Sequence, residues 1–208
     1  MPFIKTIPVD NHTTVFLWKI SEPLDELMRI SLIDSSLQRI SHMRSEVHKK
    51  GFVSIRHLLK HAGYSDSDLY YSATGKPHLK DGKHISITHS YHYAALAVGS
   101  NAVGIDMEKN REKIKRIAPK FLGTEMDFVN STSSVDFLTV LWGAKEALFK
   151  SSFLEGLSFK KHISINSFDL KDRQTSGCIN TDNAKETYQI FFEPIEEFTL
   201  VYAIPTTS

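Results

Sequence analysis

Apolar residues between 134 and 153 recur at three- and four-residue steps, the spacing that is typical of an amphipathic α-helix. One side of this predicted helix carries Leu138, Leu141, Leu148 and Ser152. Trp142, Glu146 and Lys150 follow one another at four-residue steps and therefore share a line along another side. The pattern places an indole, a carboxylate and an ammonium group one turn apart. One interpretation of Glu146 and Lys150 is a solvated ion pair on a surface helix.

A second pattern, in which apolar and polar residues alternate, lies about forty residues earlier at 103–108. Because the side chains of a strand alternate between its faces, the pattern predicts a strand with Asp106 and Glu108 together on one face. Two such carboxylates repel each other unless they are solvated or share a cation. The segment is therefore either a wet strand edge or part of a metal site. If Glu146 comes near, three carboxylates suit Mg²⁺, and Lys150 can face a substrate phosphate.

The remaining patterns predict further elements along the whole chain. Strands are expected at 15–20, 85–90, 93–98, 162–168, 177–180, 187–193 and 198–204, and helices at 35–62 and 113–122. Gly51 is expected to divide the first helical segment in two, and Gly63 is expected to end it. Helices and strands mixed in this order are typical of the α+β class.

Composition restricts the kinds of partner. The chain has 208 residues and a formal net charge of +1, so a phosphate site has to be a local cluster, and nucleic acid is not an expected partner. Cys178 is the single cysteine, which excludes an internal disulfide and a cysteine metal site. The apolar runs are shorter than a membrane span and the N-terminus lacks a signal pattern. A cytoplasmic protein without membrane contact is therefore expected.

Side chains that could meet a phosphate occur in three short stretches of the first half. They are Arg44, Lys49 and Lys50 in the first helical segment, Lys76 between Gly75 and Pro77 in a predicted turn, and Thr88 and His89 at the end of a predicted strand. Taken alone, these stretches are a solvated helix face, an exposed loop lysine and a histidine without a special role.

The chain carries two motifs, Val-Gly-Ile-Asp-Met-Glu at 103–108 and Trp-Gly-Ala-Lys-Glu-Ala-Leu-Phe-Lys at 142–150. As a pair at this spacing, they resemble the signature of the 4′-phosphopantetheinyl transferases. The chain length and the motif positions resemble the larger, pseudo-dimeric surfactin-type subfamily. The resemblance implies an α+β fold with two similar α/β halves, 1–101 and 102–208, related by a pseudo-two-fold axis. It also implies mostly antiparallel sheets, a monomer, and an active site in the cleft between the halves.

The resemblance further implies an activity, the Mg²⁺-dependent transfer of 4′-phosphopantetheine from coenzyme A to a serine of an apo acyl or peptidyl carrier protein, with release of 3′,5′-ADP. Asp106, Glu108 and Glu146 would hold the Mg²⁺. Glu146, directly or through a metal-bound water, would accept the serine proton, and Lys150 would act at the pyrophosphate bridge. Contacts with coenzyme A are implied for Arg44, Lys49, Lys50, Gly75, Lys76, Pro77, Thr88 and His89. Lys145 points about a hundred degrees away from Glu146 on the helix, so it is expected to contact a phosphate of coenzyme A or to make a structural contact.

Two other functions stay open. A Mg²⁺-dependent phosphohydrolase would use the same three carboxylates on a different diphosphate. A catalytically idle carrier-protein binder is expected to lack Asp106, Glu146 or Lys150, and the chain has all three. Trp142 is expected in the core. Glu125, in a segment that resembles the Phe-x-x-x-Glu element of the family, is either a neighbour of a helix cap or a chemical group.

Overall fold

The computed structural model describes residues 3–130 and 132–206. The chain forms two compact units, and the boundary between them lies between Asn101 and Ala102. In the part of the chain that is described, no helix combines the length and the apolar character that crossing a membrane requires.

The first unit is an antiparallel sheet with helices packed on it. Its elements are, in chain order, β1 (Phe3–Pro8), β2 (Thr13–Lys19), α1 (Leu24–Leu27), α2 (Asp34–His42), α3 (Glu46–His61), β3 (Leu69–Tyr71), β4 (Pro77–Leu79), β5 (His84–Ser90) and β6 (Tyr93–Gly99). The strand order in the larger sheet is β1-β2-β6-β5, and β3 pairs separately with β4. Helix α3 supplies Val53, Leu58 and Leu59 to a buried core that also contains Trp18 and Leu96.

The helical segment predicted for 35–62 is interrupted, although not at Gly51. The chain leaves the helical conformation after His42, and α3 starts where the side chain of Ser45 accepts a hydrogen bond from the backbone of His48. Gly51 lies inside α3, so the prediction that it separates two helices is wrong. The prediction for Gly63 is confirmed, since its φ of +86° follows the last turn of α3 and suits glycine.

The second unit is a larger antiparallel sheet with two helices. Its elements are β7 (Gly104–Lys109), α4 (Lys113–Phe121), α5 (Val135–Ser151), β8 (Ile163–Ile165), β9 (Gln174–Asn180), β10 (Lys185–Ile195) and β11 (Phe198–Pro205). The strand order is β7-β11-β10-β9-β8, which puts β7 at one edge. Helix α5 packs on β7 and β11 and buries Leu141, Ala144, Ala147 and Leu148.

A glycine sets how closely α5 approaches β7. A Cβ atom on Gly104 would lie 1.8 Å from the backbone oxygen of Ala147. No other residue fits at this position without moving the helix, because that oxygen belongs to the helix backbone. The start of the 103–108 motif therefore lies directly beside α5.

The predicted fold class is confirmed. Helices and strands are mixed along the chain, and the strand pairs that the structure describes are antiparallel. The pseudo-two-fold relation between the halves stays a prediction.

Candidate active site

Strand β7 carries two of the predicted metal ligands, Asp106 and Glu108. Both faces of the strand are covered at this point, since Ile105 and Met107 are buried and Asp106 is only 5% exposed. The interpretation of this segment as a wet strand edge is therefore wrong for Asp106. A buried carboxylate requires a partner.

Lys150, in the last turn of α5, is the partner of Asp106. Its Nζ atom donates a hydrogen bond to Oδ1 of Asp106 at 2.6 Å and another to the backbone oxygen of Ile105 at 3.1 Å. The two motifs are thus joined by a short ion pair between the helix and the strand. Because Asp106 is buried and belongs to another element, Lys150 is not merely half of a solvated surface pair with Glu146 on its own helix.

Trp142 is the neighbour of Glu108. Its indole Nε1 donates a hydrogen bond to Oε1 of Glu108 at 3.2 Å. The ring also packs edge-on against Phe121 and near Phe159, with ring centres 5.1 and 5.4 Å away. The predicted packing role of Trp142 is confirmed, since it lies against the core of the second unit. The hydrogen bond was not predicted, although Trp142 shares a helix line with Glu146 and Lys150.

Glu146 lies one helical turn before Lys150, and its electrostatic surroundings are unusual. Burial raises its pKa to about 7, and the negative charges of Asp106 and Glu108 act in the same direction, while Lys150 opposes them. Burial also raises the pKa of Glu108, again with help from Asp106. The negative charge of Asp106 therefore acts on both glutamates.

The residues on this face fit a magnesium ion by their chemistry. The negative charge of Asp106 raises the pKa of both Glu108 and Glu146, a repulsion that a divalent cation would relieve, and Mg²⁺ prefers carboxylate oxygens as ligands. The cluster is not a closed cage, because among the described residues the oxygens of Asp106, Glu108 and Glu146 do not all lie within 4.8 Å of one another. Lys150 supplies positive charge beside Asp106 instead.

The structure corrects the role expected for Lys145. This side chain is fully buried, and its Nζ atom contacts Oε1 of Glu125 at 2.9 Å and the backbone oxygens of Phe159 and Ile163 at 2.8 and 2.5 Å. Residue 145 is about a hundred degrees around the helix from Glu146, which turns it into the core. The expected contact between Lys145 and coenzyme A is therefore wrong in this geometry.

Glu125 completes this buried ion pair. Its carboxylate accepts hydrogen bonds from the backbone nitrogens of Gly123 and Ile165, both at 2.8 Å, and is itself 0% exposed. Glu125 is thus the structural partner of α5. The sequence alone gave no signal for this pairing, because the two residues are twenty positions apart and belong to different elements.

The predicted phosphate-binding residues of the first unit occupy three sites on its surface. Arg44 lies between α2 and α3 and is exposed, and Lys49 and Lys50 lie in the first turns of α3, where Lys50 pairs with Glu46 at 3.1 Å. His89 is an exposed residue of β5, and the neighbouring Thr88 is buried.

The predicted turn around Lys76 is confirmed. The backbone nitrogen of Ser72 donates a hydrogen bond to the backbone oxygen of Lys76 at 2.9 Å. The hydroxyl of Ser72 accepts a hydrogen bond from the backbone nitrogen of Lys76 at 3.1 Å. Gly75 has a φ of +82°, which favours glycine, and Pro77 begins β4. The backbone on both sides of Lys76 is therefore fixed.

The second unit is an α+β domain in which one helix and one strand share a cluster of carboxylates and a lysine. Residues 102–203 match the family model described as the 4′-phosphopantetheinyl transferase superfamily. The matched stretch contains both motifs and lies within the second unit, so this unit is similar to that superfamily, in agreement with the resemblance of the paired motifs.

Two relatives carry the same name. The chain is 31% identical over 121 residues to a protein named 4′-phosphopantetheinyl transferase gsp from Aneurinibacillus migulanus, a match that covers 56% of this chain and 49% of the relative. It is 28% identical over 132 residues to a protein named 4′-phosphopantetheinyl transferase from Bacillus subtilis, covering 56% of this chain and 58% of that relative. The chain therefore spans about half the length of the curated relatives it matches.

Proposed function

We propose that this protein transfers 4′-phosphopantetheine from coenzyme A to a serine hydroxyl of an apo acyl or peptidyl carrier protein and releases 3′,5′-ADP. The observation that carries the proposal is the ion pair of Lys150 and Asp106 beside Glu108 and Glu146. The superfamily match over 102–203 and the names of the two relatives support it.

Asp106, Glu108 and Glu146 would hold Mg²⁺ in this proposal. When bound, Mg²⁺ neutralises charge that develops on phosphate oxygens. The chain contributes the ligands and also orients one of them, because Trp142 holds one oxygen of Glu108 through its indole nitrogen.

Glu146 is suited to accept the proton of the attacking serine. Without metal, burial raises the pKa of Glu146 to about 7, and a bound Mg²⁺ would favour its ionised form, the form that accepts a proton. The serine oxygen forms a bond to the phosphorus that carries pantetheine, and the bond from that phosphorus to the bridging oxygen breaks. The serine proton passes to Glu146, and 3′,5′-ADP leaves with the bridging oxygen.

Lys150 would stabilise the negative charge on the leaving oxygen. Its ammonium group already lies beside the carboxylate of Asp106, so it would exchange that anionic partner for the leaving oxygen. Arg44, Lys49, Lys50, Lys76 and His89 would hold the phosphates of coenzyme A, which agrees with the fixed turn around Lys76 and the exposure of Arg44 and His89.

Chromatography of the nucleotide products tests this proposal. Wild-type protein with coenzyme A and Mg²⁺ should form 3′,5′-ADP only when an apo carrier protein is present. A carrier whose acceptor serine is replaced by alanine is the matched control and should give no product. Formation of 3′,5′-ADP from coenzyme A without any carrier would overturn the proposal in favour of a phosphohydrolase.

A further inference from the structure

Gly51 occupies a position in the interior of α3 where the backbone itself does not need a glycine. It is the sixth residue of a sixteen-residue helix, and its φ lies outside the left-handed region that favours glycine. Alanine is the better helix former at such a position. The reason for a glycine must therefore come from a neighbour of the helix.

That neighbour is the side chain of His89 on β5. A Cβ atom on Gly51 would lie 2.7 Å from both Cγ and Nδ1 of His89 and 3.2 Å from its Cβ. Carbon atoms in normal contact are about 3.5–4.0 Å apart, so the imidazole ring rests directly on the helix backbone. The closest atoms are at the base of the side chain, so the ring can avoid an added methyl group only by changing its χ1 rotamer.

The contact directs His89 to one face of α3. The ring of His48 lies with its centre 6.1 Å from that of His89, and Lys49 follows on the next position of the helix. His89 is exposed although it touches a buried glycine. The helix backbone thus supports the ring, while His89 keeps an exposed surface.

We propose that Gly51 is a positioning residue that holds His89 in the rotamer in which it meets an anionic phosphate of the donor substrate. The inference rests on the proposed function, because it assigns His89 to the binding of coenzyme A. Gly51 itself makes no contact with the ligand and acts only through the imidazole ring. Its effect must therefore vanish when that ring is removed.

A double-mutant cycle with Gly51→Ala and His89→Ala tests the proposal. Calorimetry measures the Kd for coenzyme A of the wild type, both single variants and the double variant. Gly51→Ala should weaken binding by about tenfold, as expected when a hydrogen bond to a charged group is lost. In the His89→Ala background the same substitution should leave the Kd unchanged. An equal loss in both backgrounds, or no loss in either, overturns the proposal.

Thermal unfolding of the same four proteins checks the packing independently. With the ring removed, Gly51→Ala should raise Tm by about 2–4 °C, because alanine favours the helix and nothing opposes it. With His89 present, the clash should cancel that gain, and equal gains in both backgrounds would contradict the contact. If Gly51→Ala alone does not fold, recovery of folding in the double variant supports the same contact, and failure to recover contradicts it.

The binding of coenzyme A is measured separately from transfer to a carrier protein. Failure of the role proposed for Gly51 can therefore be distinguished from failure of the proposed function. A wild-type protein that binds coenzyme A but modifies no carrier overturns the proposed function and leaves the role of Gly51 standing. A wild-type protein that does not bind coenzyme A overturns both.

Discussion

Lys150 is the residue with the most direct link between geometry and proposed chemistry. Its Nζ atom lies 2.6 Å from Oδ1 of Asp106 in a half-buried position. If it stabilises charge that grows in the transition state, Lys150→Ala should lower kcat and kcat/KM together, by about 10²-fold or more. Steady-state transfer kinetics measures both constants. Lys161→Ala, an exposed lysine of the same unit, is the control and should change neither.

A different result for Lys150 would change its role. An unchanged kcat with a raised KM for coenzyme A would show that this lysine binds the substrate and does not assist the chemical step.

Because the pKa of Glu146 is raised in the folded state, we expect the stability of the metal-free protein to depend on pH. Its folded pKa of about 7 lies above the ordinary value of 4.5, so the unfolded chain loses this proton first as pH rises. The folded state is therefore penalised progressively between pH 4.5 and 7, and fully above pH 7. Glu146→Gln should raise the free energy of unfolding by about 1–3 kcal/mol at pH 8 and hardly at pH 4.5.

Urea unfolding in the presence of a chelator measures this difference at both pH values. Glu112→Gln is the control, because the side chain of Glu112 is 78% exposed. The same stability change at pH 4.5 and pH 8 would contradict the raised pKa of Glu146.

We expect a substitution of Trp142 to change the affinity for Mg²⁺. Its indole nitrogen holds Oε1 of Glu108, so Trp142→Phe keeps an aromatic ring and removes only the donor. Loss of a group that orients a metal ligand weakens metal binding by about tenfold or more. Calorimetric titration with Mg²⁺ measures this without relying on activity. An unchanged Kd for Mg²⁺ would mean that the hydrogen bond does not prepare Glu108 for the metal.

At the scale of elements, the buried pair of Lys145 and Glu125 ties α5 to the segment between α4 and α5. Both side chains are 0% exposed. Lys145→Met should destabilise the protein by about 3–5 kcal/mol, because it leaves the carboxylate of Glu125 buried without its cation. Adding Glu125→Gln should recover part of that loss. Urea unfolding of the three proteins checks both expectations.

The alternative for Lys145 gives the opposite result. A Lys145→Met protein of full stability that no longer binds coenzyme A would restore the contact with coenzyme A that the sequence suggested.

Elements with regular spacing were predictable from sequence, and close contacts between elements were not. The helical period of 134–153 and the alternation of 103–108 correspond to α5 and β7. The break between α2 and α3 was misplaced, because Gly51 looks like a helix breaker until the position of His89 is known. The environment of Lys145 could not be predicted either, since it depends on carbonyl groups fourteen and eighteen positions later.

At the scale of the whole molecule, the superfamily match and the carboxylate site lie in the same unit. The superfamily match covers residues 102–203, and Asp106, Glu108, Glu146 and Lys150 all lie within it. The pairing of the two motifs was visible in the sequence because each is continuous. The donor-binding residues of the first unit are scattered over a helix, a turn and a strand, and their roles stay predictions.

The most direct test of the account is the intact mass of an apo carrier protein after incubation with this protein, coenzyme A and Mg²⁺. The account predicts that the carrier gains the mass of one phosphopantetheine, that the gain is located on a serine, and that it disappears with Lys150→Ala at equal enzyme concentration and time. A panel of acyl and peptidyl carriers that all keep their original mass while the wild-type protein is folded would contradict it.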